Sequence, residues 1–252
     1  MTKYYSINDA VKSFNDSDIP IFIPVFEQVS YAKHMVDQLT SLGISNFILC
    51  DNNSTYGPMI DYLHKISQEH KVLYLNFNFG PRIYSEIAEV YNQMPDWFIV
   101  TDPDLIFNKN LPANFIDNMV EAASYYQLPK IGFAVEIFDA EASSKFFNKD
   151  LVHRWESRYW ETPMGTMQDG SLIYSAAIDT TFALHNTSMI SADIPKVHGT
   201  PMLRAGRIAG NYTCEHMGWW KDQPLESEEL EYYKKVQTWG STENEKKRMG
   251  YA

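Results

Sequence analysis

The chain has 252 residues, a hydrophobic content of 44% and a formal net charge of −11 at pH 7. This length suits one large α/β domain, and the acidic balance disfavours nonspecific binding to nucleic acid or to an anionic membrane. Two cysteines do not make a disulfide framework, the first residues lack the apolar core of a signal peptide, and no run of 18 apolar residues occurs. We therefore expect a cytoplasmic protein without a transmembrane segment, and leave peripheral association with a membrane open.

Strand and helix signals alternate along the first half of the chain. Apolar runs predict strands at residues 21–25, 47–50, 72–75, 97–100 and 131–135. Between them, apolar positions at helical spacing predict helices, the first of which is capped by Ser30 and closed by Gly43. Strands separated by helices of about 10 to 15 residues are typical of βαβ units. The predicted fold class is α/β, with a mostly parallel sheet flanked by helices.

The second half of the chain lacks this periodicity and is expected to be irregular. Residues 146–170 are rich in aromatic side chains, and Trp155, Tyr159 and Trp160 are candidates for a platform that binds a sugar. Burial in a lid or in a subunit contact is the alternative. From Pro224 onward the strongly charged sequence predicts a solvated helical tail.

Polar side chains follow three of the predicted strands at the point where each strand ends. The three motifs are Pro24-Val25-Phe26-Glu27, Asp51-Asn52-Asn53-Ser54 and Thr101-Asp102-Pro103-Asp104. The carboxyl ends of parallel strands share one edge of the sheet, where ligands of such sheets bind. Asp102 and Asp104 offer hard oxygens to a divalent cation, and Pro103 restricts the backbone between them. The alternatives are an Asx-rich turn with helix capping for the second motif and an Asp-Pro turn with solvated charges for the third.

The order of these motifs resembles a nucleotide-sugar glycosyltransferase of the GT-A type, closest to family 2. The resemblance covers residues 19–135, and the first motif is similar to the family's Pro-Val-Tyr-Asn-Glu opening, shortened by one residue. It implies that Asp51 bonds the base and that Asp102-Pro103-Asp104 is the metal-binding Asp-x-Asp signature. Within a single domain over residues 1–252, it further implies a nucleotide-sugar-binding half at 19–136, an acceptor and catalytic half at 137–223 and a charged tail at 224–252.

Other donor-binding residues are assigned from the same resemblance and from their positions. The carboxylate of Asp51 can accept from an N–H of the base. Arg82 precedes a predicted helix, where it can meet a phosphate near the helix N-terminus; a surface arginine is the alternative. The predicted donor-binding residues are Pro24, Phe26, Glu27, Asp51, Asn53, Arg82, Asp102, Pro103 and Lys221.

A later segment, Cys214 to Lys221, bears on metal binding. Some GT-A enzymes complete the metal site with a His after the last core strand, followed by Gly, an aromatic residue and Lys, and His216 with Lys221 resembles that arrangement. An imidazole with two carboxylates suits Mn²⁺, with Mg²⁺ as the other choice; a satisfied structural histidine is the alternative. The expected metal ligands are Asp102, Asp104 and His216. The weaker candidates are His153, His185 and His198.

Asp179 is the candidate catalytic base. It lies in an otherwise small and apolar run, residues 174–182, where a lone carboxylate is costly unless it is paired or functional. The resemblance implies a base from this downstream region, and Asp179 matches its approximate position. A helix N-cap is the alternative, and Asp169 and Glu161 compete for the role.

Together these residues predict a metal-dependent glycosyltransferase acting on a nucleoside-diphosphate sugar, with UDP favoured by family frequency. The acceptor is a glycan or another hydroxyl compound. Deprotonation of that hydroxyl by Asp179 predicts inversion, although a retaining route stays open. A sugar nucleotidyltransferase ranks second, because the first strand is not followed by a Gly-rich basic loop. A non-catalytic nucleotide- or sugar-binding module ranks third.

Overall fold

The structure is a computed structural model that describes residues 3–237 apart from 16, 82, 83, 85–87, 190–195, 198, 199, 202 and 203. The described residues form an eleven-stranded sheet with helices on both faces, together with a two-stranded ribbon. The strands of the sheet are β1 (Lys3–Tyr4), β2 (Ile21–Val25), β3 (Phe47–Asp51), β4 (Lys71–Tyr74), β5 (Trp97–Val100), β6 (Leu105–Phe107), β7 (Lys130–Val135), β8 (Pro163–Thr166), β9 (Leu172–Ser175), β10 (Ala183–Asn186) and β13 (Ala205–His216). The ribbon strands are β11 (Lys196–Val197) and β12 (Thr200–Pro201).

The described helices pack on both faces of the sheet. They are α1 (Ile7–Val11), α2 (Val29–Ser41), α3 (Gly57–Ile66), α4 (Ala88–Tyr91), α5 (Phe115–Tyr126), α6 (Ala140–Ser144), α7 (Lys149–Glu156) and α8 (Ser227–Val236). Short 3₁₀ turns lie at Ser157–Trp160, Thr187–Met189 and Met217–Trp219. Among the residues described, no helix is long and apolar enough to cross a bilayer.

The first half of the chain forms the parallel part of the sheet. Strands β1, β4, β3, β2 and β5 lie side by side in that order, and all of them run in the same direction. Both faces of these strands are covered, which is why they read in the sequence as continuous apolar runs. The predicted α/β fold with a mostly parallel central sheet flanked by helices is confirmed.

The core is divided between the two faces of this sheet. Ile21 and Ile23 of β2 belong to the core cluster that includes residues of α2, α3 and α5, whereas Phe22 between them belongs to the cluster that includes residues of α1 and α4, as the two-residue period of a strand requires. The predicted apolar face of α2 is buried except at Leu42, which follows the helix and is 39% exposed. Gly43 follows this helix with φ of 75°, a left-handed conformation that glycine adopts without strain.

The N-terminus of α2 is capped from a distant part of the chain. Ser30, predicted as the N-cap, lies inside the helix, so that prediction is wrong; the N-cap residue is Gln28, whose side chain makes no capping bond. Glu229 of α8 takes over this role. Its Oε1 accepts the Ser30 N–H at 2.8 Å, and its Oε2 accepts the Ser30 hydroxyl at 2.5 Å. The predicted tail thus contains a helix, one face of which packs against the first half of the chain.

The second half of the chain joins the same sheet, mainly through antiparallel strands. β10 lies antiparallel between β5 and β7, and β13 runs parallel to β7 with a register shift between Ile208 and Thr213. β9 and β8 extend the sheet, and β6 pairs with the end of β13. This arrangement brings the segment before β10 and the end of β13 to the carboxyl end of β5.

Candidate active site

Three side chains meet at the carboxyl end of β5. Asp102 and Asp104 follow that strand directly, while His216 is the last residue of β13 and pairs in register with Leu105 of β6. Because β6 begins one residue after Asp104, this pairing holds His216 beside it. One ligand atom from each of Asp102, Asp104 and His216 lies within 4.8 Å of the others. The structure therefore contains a possible metal-binding group.

The contacts within this group fit a shared cation. His216 Nδ1 lies 3.2 Å from Asp104 Oδ2, and His216 Nε2 lies 3.9 Å from Asp102 Oδ2. Nδ1 is buried, yet its orientation gives it no hydrogen bond to any described residue. Two carboxylates and one imidazole nitrogen form a donor set that suits Mn²⁺ or Mg²⁺. A buried ring nitrogen without a hydrogen bond beside a carboxylate oxygen is the feature that such an ion would explain.

Burial and neighbouring carboxylates both act on the ionisation of Asp102. Burial, followed by the charges of Asp104 and Asp179, raises the pKa of Asp102 to about 7, although His216 and a hydrogen bond from Thr180 act in the opposite direction. Clustered carboxylates disfavour one another's ionisation. A divalent cation would relieve this repulsion.

Thr180 fixes the orientation of Asp102. Its hydroxyl donates to Asp102 Oδ2 at 2.6 Å, and its carbonyl accepts the Asp102 N–H at 2.9 Å. Sequence reasoning missed this residue because the two partners are 78 positions apart and their contact depends on the insertion of β10 next to β5.

Asp179 directly precedes Thr180 and is half-buried in the loop between β9 and β10. Its charge contributes to the raised pKa of Asp102, so the two carboxylates are close neighbours. No described helix begins at this position, which removes the alternative interpretation of Asp179 as a helix N-cap. Its role as catalytic base stays a prediction.

The space next to the carboxylates is kept open by Gly218. A Cβ atom on this residue would lie 2.7 Å from Asp104 Oδ2 and 3.1 Å from His216 Nδ1, closer than ordinary van der Waals contact. The Gly218 N–H donates to Asp104 Oδ2 at 3.2 Å, and the Met217 N–H donates to the Asp104 carbonyl at 2.8 Å. The short turn after β13 therefore positions Asp104 and leaves room for a ligand beside it.

The predicted base-binding motif lies at the end of β3, two strands away from β5. Asp51 is buried, its Oδ1 accepts the Ser54 N–H at 3.0 Å, and burial is the main cause that raises its pKa. Asn52 Oδ1 accepts the Phe79 N–H at 3.2 Å, and Asn53 is exposed with φ of 63°. The Asp51 side chain thus stabilises a turn but does not cap the following helix, whose N-cap is Tyr56, and contact with a base stays a prediction.

Glu27 stabilises the same region from within. It is 1% exposed and adopts φ of 62°. Its carboxylate accepts the N–H groups of Thr55 and Tyr56 at 2.9 and 2.7 Å and the Thr55 hydroxyl at 2.9 Å. These groups precede α3, so Glu27 places a negative charge at the N-terminus of that helix. The structure gives Glu27 an internal role, and direct contact with a donor stays a prediction.

The other predicted donor-binding residues differ in exposure. Pro24 is buried within β2, Phe26 is half-buried just after it, and Pro103 is half-buried between the two carboxylates. Lys221 is exposed just beyond the turn after β13. Arg82 lies outside the described residues.

The competing base Asp169 is engaged in hydrogen bonds. It accepts from the Ser171 N–H at 2.9 Å and from Asn211 Nδ2 at 2.8 Å. Although burial acts to raise it, these bonds lower the pKa of Asp169, which makes it a poor proton acceptor at neutral pH. Glu161 is exposed.

The weaker metal candidates lie in other surroundings. His185 is fully buried and stacks on Phe98, with ring centroids 4.7 Å apart. His153 is half-buried next to the rings of Phe138 and Phe146. His198 lies outside the described residues.

The predicted aromatic platform is partly exposed. Trp155 is 50% exposed and stacks with Arg158, whose guanidinium carbon lies 4.0 Å from the ring centroid. Trp160 packs edge-on against Phe138, which is 60% exposed. Sequence reasoning did not single out Phe138, because it follows β7 rather than lying in the aromatic segment. Contact of these rings with an acceptor stays a prediction.

No protein-family model matches the chain, and comparison with curated proteins finds no match either. Among solved structures, S. aureus TarS 1–349 aligns with a TM-score of 0.46 at 10% identity, over 79% of this chain and 60% of that one. HddC from Yersinia pseudotuberculosis aligns with a TM-score of 0.43 at 11% identity, over 85% of this chain and 97% of that one. The chain thus spans three fifths of TarS 1–349. Such low similarity carries no argument about activity, so the functional conclusion depends on the site itself.

Proposed function

We propose that the chain is a metal-dependent glycosyltransferase of the GT-A type. In this proposal it transfers a sugar from a nucleoside-diphosphate sugar, with UDP as the favoured nucleotide, to a hydroxyl group of a glycan or another acceptor. The observation that carries it is the group formed by Asp102, Asp104 and His216 at the carboxyl end of β5. This is the edge at which ligands of parallel sheets bind, and Asp51 ends a strand at the same edge.

Each residue has a distinct role in the proposed reaction. Asp102, Asp104 and His216 hold a divalent cation, which when bound would neutralise charge on the leaving diphosphate. Thr180 and the Gly218 N–H keep the two carboxylates oriented through their hydrogen bonds. Asp51, at the carboxyl end of β3, accepts a hydrogen bond from the base.

Asp179 completes the proposed mechanism as a general base. It accepts the proton of the acceptor hydroxyl while that oxygen attacks the anomeric carbon and the bond to the diphosphate breaks. A displacement from the face opposite the leaving group inverts the anomeric configuration. The position of Asp179 beside Asp102 supports this assignment, because the acceptor must reach the anomeric carbon close to the cation.

A thermal-shift screen of nucleotide sugars with and without Mn²⁺ tests the proposal. A ligand that binds only the folded chain raises its melting temperature by mass action, and we expect the largest shift when a UDP-sugar and Mn²⁺ are added together. Asp104→Asn should abolish this joint effect. Asp139→Asn is the matched control, because Asp139 caps α6 through a side-chain bond to Ala142 that asparagine also forms.

Product analysis of the ligand selected by this screen distinguishes the alternatives. Appearance of nucleoside diphosphate together with a glycosylated acceptor or free sugar supports a glycosyltransferase. Release of pyrophosphate from a nucleoside triphosphate would instead indicate a nucleotidyltransferase. Binding without any turnover would indicate a non-catalytic binding module.

A further inference from the structure

A buried arginine joins the aromatic segment to the loop that carries Asp179. Arg207 lies on β13 and is 4% exposed. Its Nε donates to the Ala177 carbonyl at 2.7 Å, and its Nη1 donates to Glu156 Oε2 at 2.7 Å. Its guanidinium carbon lies 3.9 Å from the ring centroid of Tyr159.

These contacts come from two separate parts of the chain. Glu156 ends α7, and Tyr159 lies in the 3₁₀ turn that follows it. The Tyr159 ring and the exposed Trp155 ring both contact the guanidinium of Arg158. Ala177 lies in the loop between β9 and β10, two residues before Asp179. The planar guanidinium therefore contacts both segments at once. The compact ammonium group of a lysine cannot reproduce this arrangement.

The loop that contains Asp179 is held at both of its ends. Arg207 binds the carbonyl of Ala177 at one end, and Thr180 binds Asp102 through two hydrogen bonds at the other. Asp179 lies between these anchors. A shift at the Arg207 end would therefore move Asp179 while the contact between Thr180 and Asp102 persists.

A buried ion pair is weak evidence for a purely stabilising role, because desolvation of both charges offsets much of their attraction. Glu156 and Arg207 have side chains only 6% and 5% exposed, respectively. Their pairing does fix geometry, since each additional partner restricts where the guanidinium can lie. That restriction extends to the backbone of the loop through the Ala177 carbonyl.

We propose that Arg207 is a positioning residue that, together with Glu156, aligns Asp179 with the acceptor bound by the aromatic segment. This inference rests on the proposed function. If the alignment is lost, water competes with the acceptor: a water oxygen attacks the anomeric carbon, the bond to the diphosphate breaks, and free sugar, nucleoside diphosphate and one proton are released. Loss of Arg207 therefore changes the partition between transfer and hydrolysis.

Four variants test this role. Arg207→Met removes the guanidinium, Arg207→Lys keeps the positive charge without the fork, and Glu156→Gln keeps the shape of the partner without its charge. Arg154→Met is the matched control, because Arg154 is exposed on α7 and its loss changes the net charge by the same amount. Arg207→Lys and Glu156→Gln provide readable results if Arg207→Met does not fold.

Amide hydrogen exchange of the full chain with Mn²⁺ present provides the first readout. We expect residues 176–179, where the Ala176 N–H donates to the Ala205 carbonyl at 3.1 Å, to exchange at least about 10-fold faster in the Arg207 variants, because local protection depends on such anchoring contacts. Arg154→Met should exchange like the wild type. Unchanged protection of this loop in folded Arg207→Lys and Glu156→Gln would overturn the inference, whatever the activity of the protein.

Steady-state kinetics with the nucleotide sugar selected by the screen provide the second readout. Misplacement of a reacting group by about 1 Å costs up to about 100-fold, so kcat for transfer should fall by about 10- to 100-fold in the Arg207 variants while the donor KM changes little. The ratio of hydrolysis to transfer should rise. A purely structural role would lower the melting temperature but leave kcat per folded molecule and this ratio unchanged, and that result would also overturn the inference.

Absence of any turnover in the wild type would instead refute the proposed function, and the exchange experiment would still decide whether Arg207 holds the loop.

Discussion

At the scale of single residues, the site depends on a glycine, because a side chain at this position would occupy space beside the carboxylates. Gly218 has an ordinary backbone conformation, so its importance comes from space rather than from φ. An added Cβ would lie 2.7 Å from Asp104 Oδ2 and 3.0 Å from His216 Cε1. Because real Cβ atoms do not come within 3.0 Å of such an atom, the Asp104 carboxylate would have to move away from residue 218 in a Gly218→Ala variant, and the His216 ring would have to shift slightly.

Gly218→Ala should therefore weaken Mn²⁺ binding by about 10- to 100-fold, the range typical for loss of supporting interactions at metal sites. Calorimetric titration with Mn²⁺ measures this directly. Gly57→Ala is the matched control, since a Cβ at Gly57 meets no atom within 4 Å. Equal Mn²⁺ affinity in the two folded variants would mean that the cation does not bind beside Gly218.

Asp179 is tested by a substitution that keeps its shape. Asp179→Asn cannot accept the proton of the acceptor, so transfer should fall by about 10²- to 10⁴-fold while Mn²⁺ and donor affinities are retained. Asp169→Asn is the comparison, because Asp169 is engaged with Ser171 and Asn211 and its loss should affect stability rather than rate. If Asp169→Asn instead loses transfer and Asp179→Asn loses only stability, the base is Asp169.

At the scale of secondary-structure elements, helix α3 is organised by a residue from another strand-end motif. Glu27 follows β2, yet its carboxylate accepts the N–H groups just before α3. The same turn includes Ser54, whose hydroxyl accepts the Glu27 N–H at 3.0 Å and whose N–H donates to Asp51. Glu27 thus links two of the three motifs that the sequence analysis identified.

Glu27→Gln should lower the free energy of unfolding by about 1.5 to 3 kcal/mol, the range for hydrogen bonds to charged groups, because one carboxylate oxygen is replaced by an amide that faces N–H donors. Urea unfolding monitored by circular dichroism measures this change. Asp139→Asn, an exchange of acid for amide at an N-cap where both residues serve equally, controls for the substitution. A variant of unchanged stability but weaker nucleotide binding would show that Glu27 contacts the donor instead.

The elements that could be predicted from the sequence are those with local signals. Continuous apolar runs identified β2, β3, β4, β5 and β7, and helical spacing identified the buried face of α2. β13 escaped prediction because its sequence, Ala-Gly-Arg-Ile-Ala-Gly-Asn-Tyr-Thr-Cys-Glu-His, alternates poorly and contains a register shift. The cap of α2 escaped because Glu229 is 199 positions from Ser30. Local patterns identify elements, whereas contacts between distant segments require the fold.

The candidate site shows the same division. Asp102 and Asp104 are adjacent to a strong strand signal, and His216 was reached through a resemblance in a short motif. The supporting residue Thr180 carries no signal of its own, and the motif around His216 includes Gly218 without indicating its contact with Asp104, since both residues act through contacts that exist only after β10 and β13 enter the sheet.

At the scale of the whole molecule, β10 joins the parallel half of the sheet to the later strands, and a buried histidine lies in it. His185 is fully buried, stacks on Phe98 of β5 and lies opposite Lys130 of β7, with Tyr91 of α4 also facing its ring. Burial, followed by the charge of Lys130, lowers the pKa of His185 well below its usual value. The folded chain therefore keeps this imidazole neutral.

This neutral histidine should make the stability of the whole sheet depend on pH. In the unfolded chain histidine has a pKa of about 6.5, so at lower pH the unfolded chain binds a proton that the folded chain excludes. The stability that this neutral histidine contributes is present above about pH 6.5. As the pH falls below that value, the free energy of unfolding decreases by up to about 1.4 kcal/mol per pH unit. His185→Phe, which retains a ring beside Phe98, should reduce the pH dependence of the unfolding free energy between about pH 6.5 and 5. The reduction corresponds to at most one proton fewer taken up on unfolding. Urea unfolding across this range measures the slope, with His64→Gln, an exposed change on α3, as the control. A slope equal to that of the wild type in His185→Phe would mean that this histidine accepts its proton inside the folded sheet.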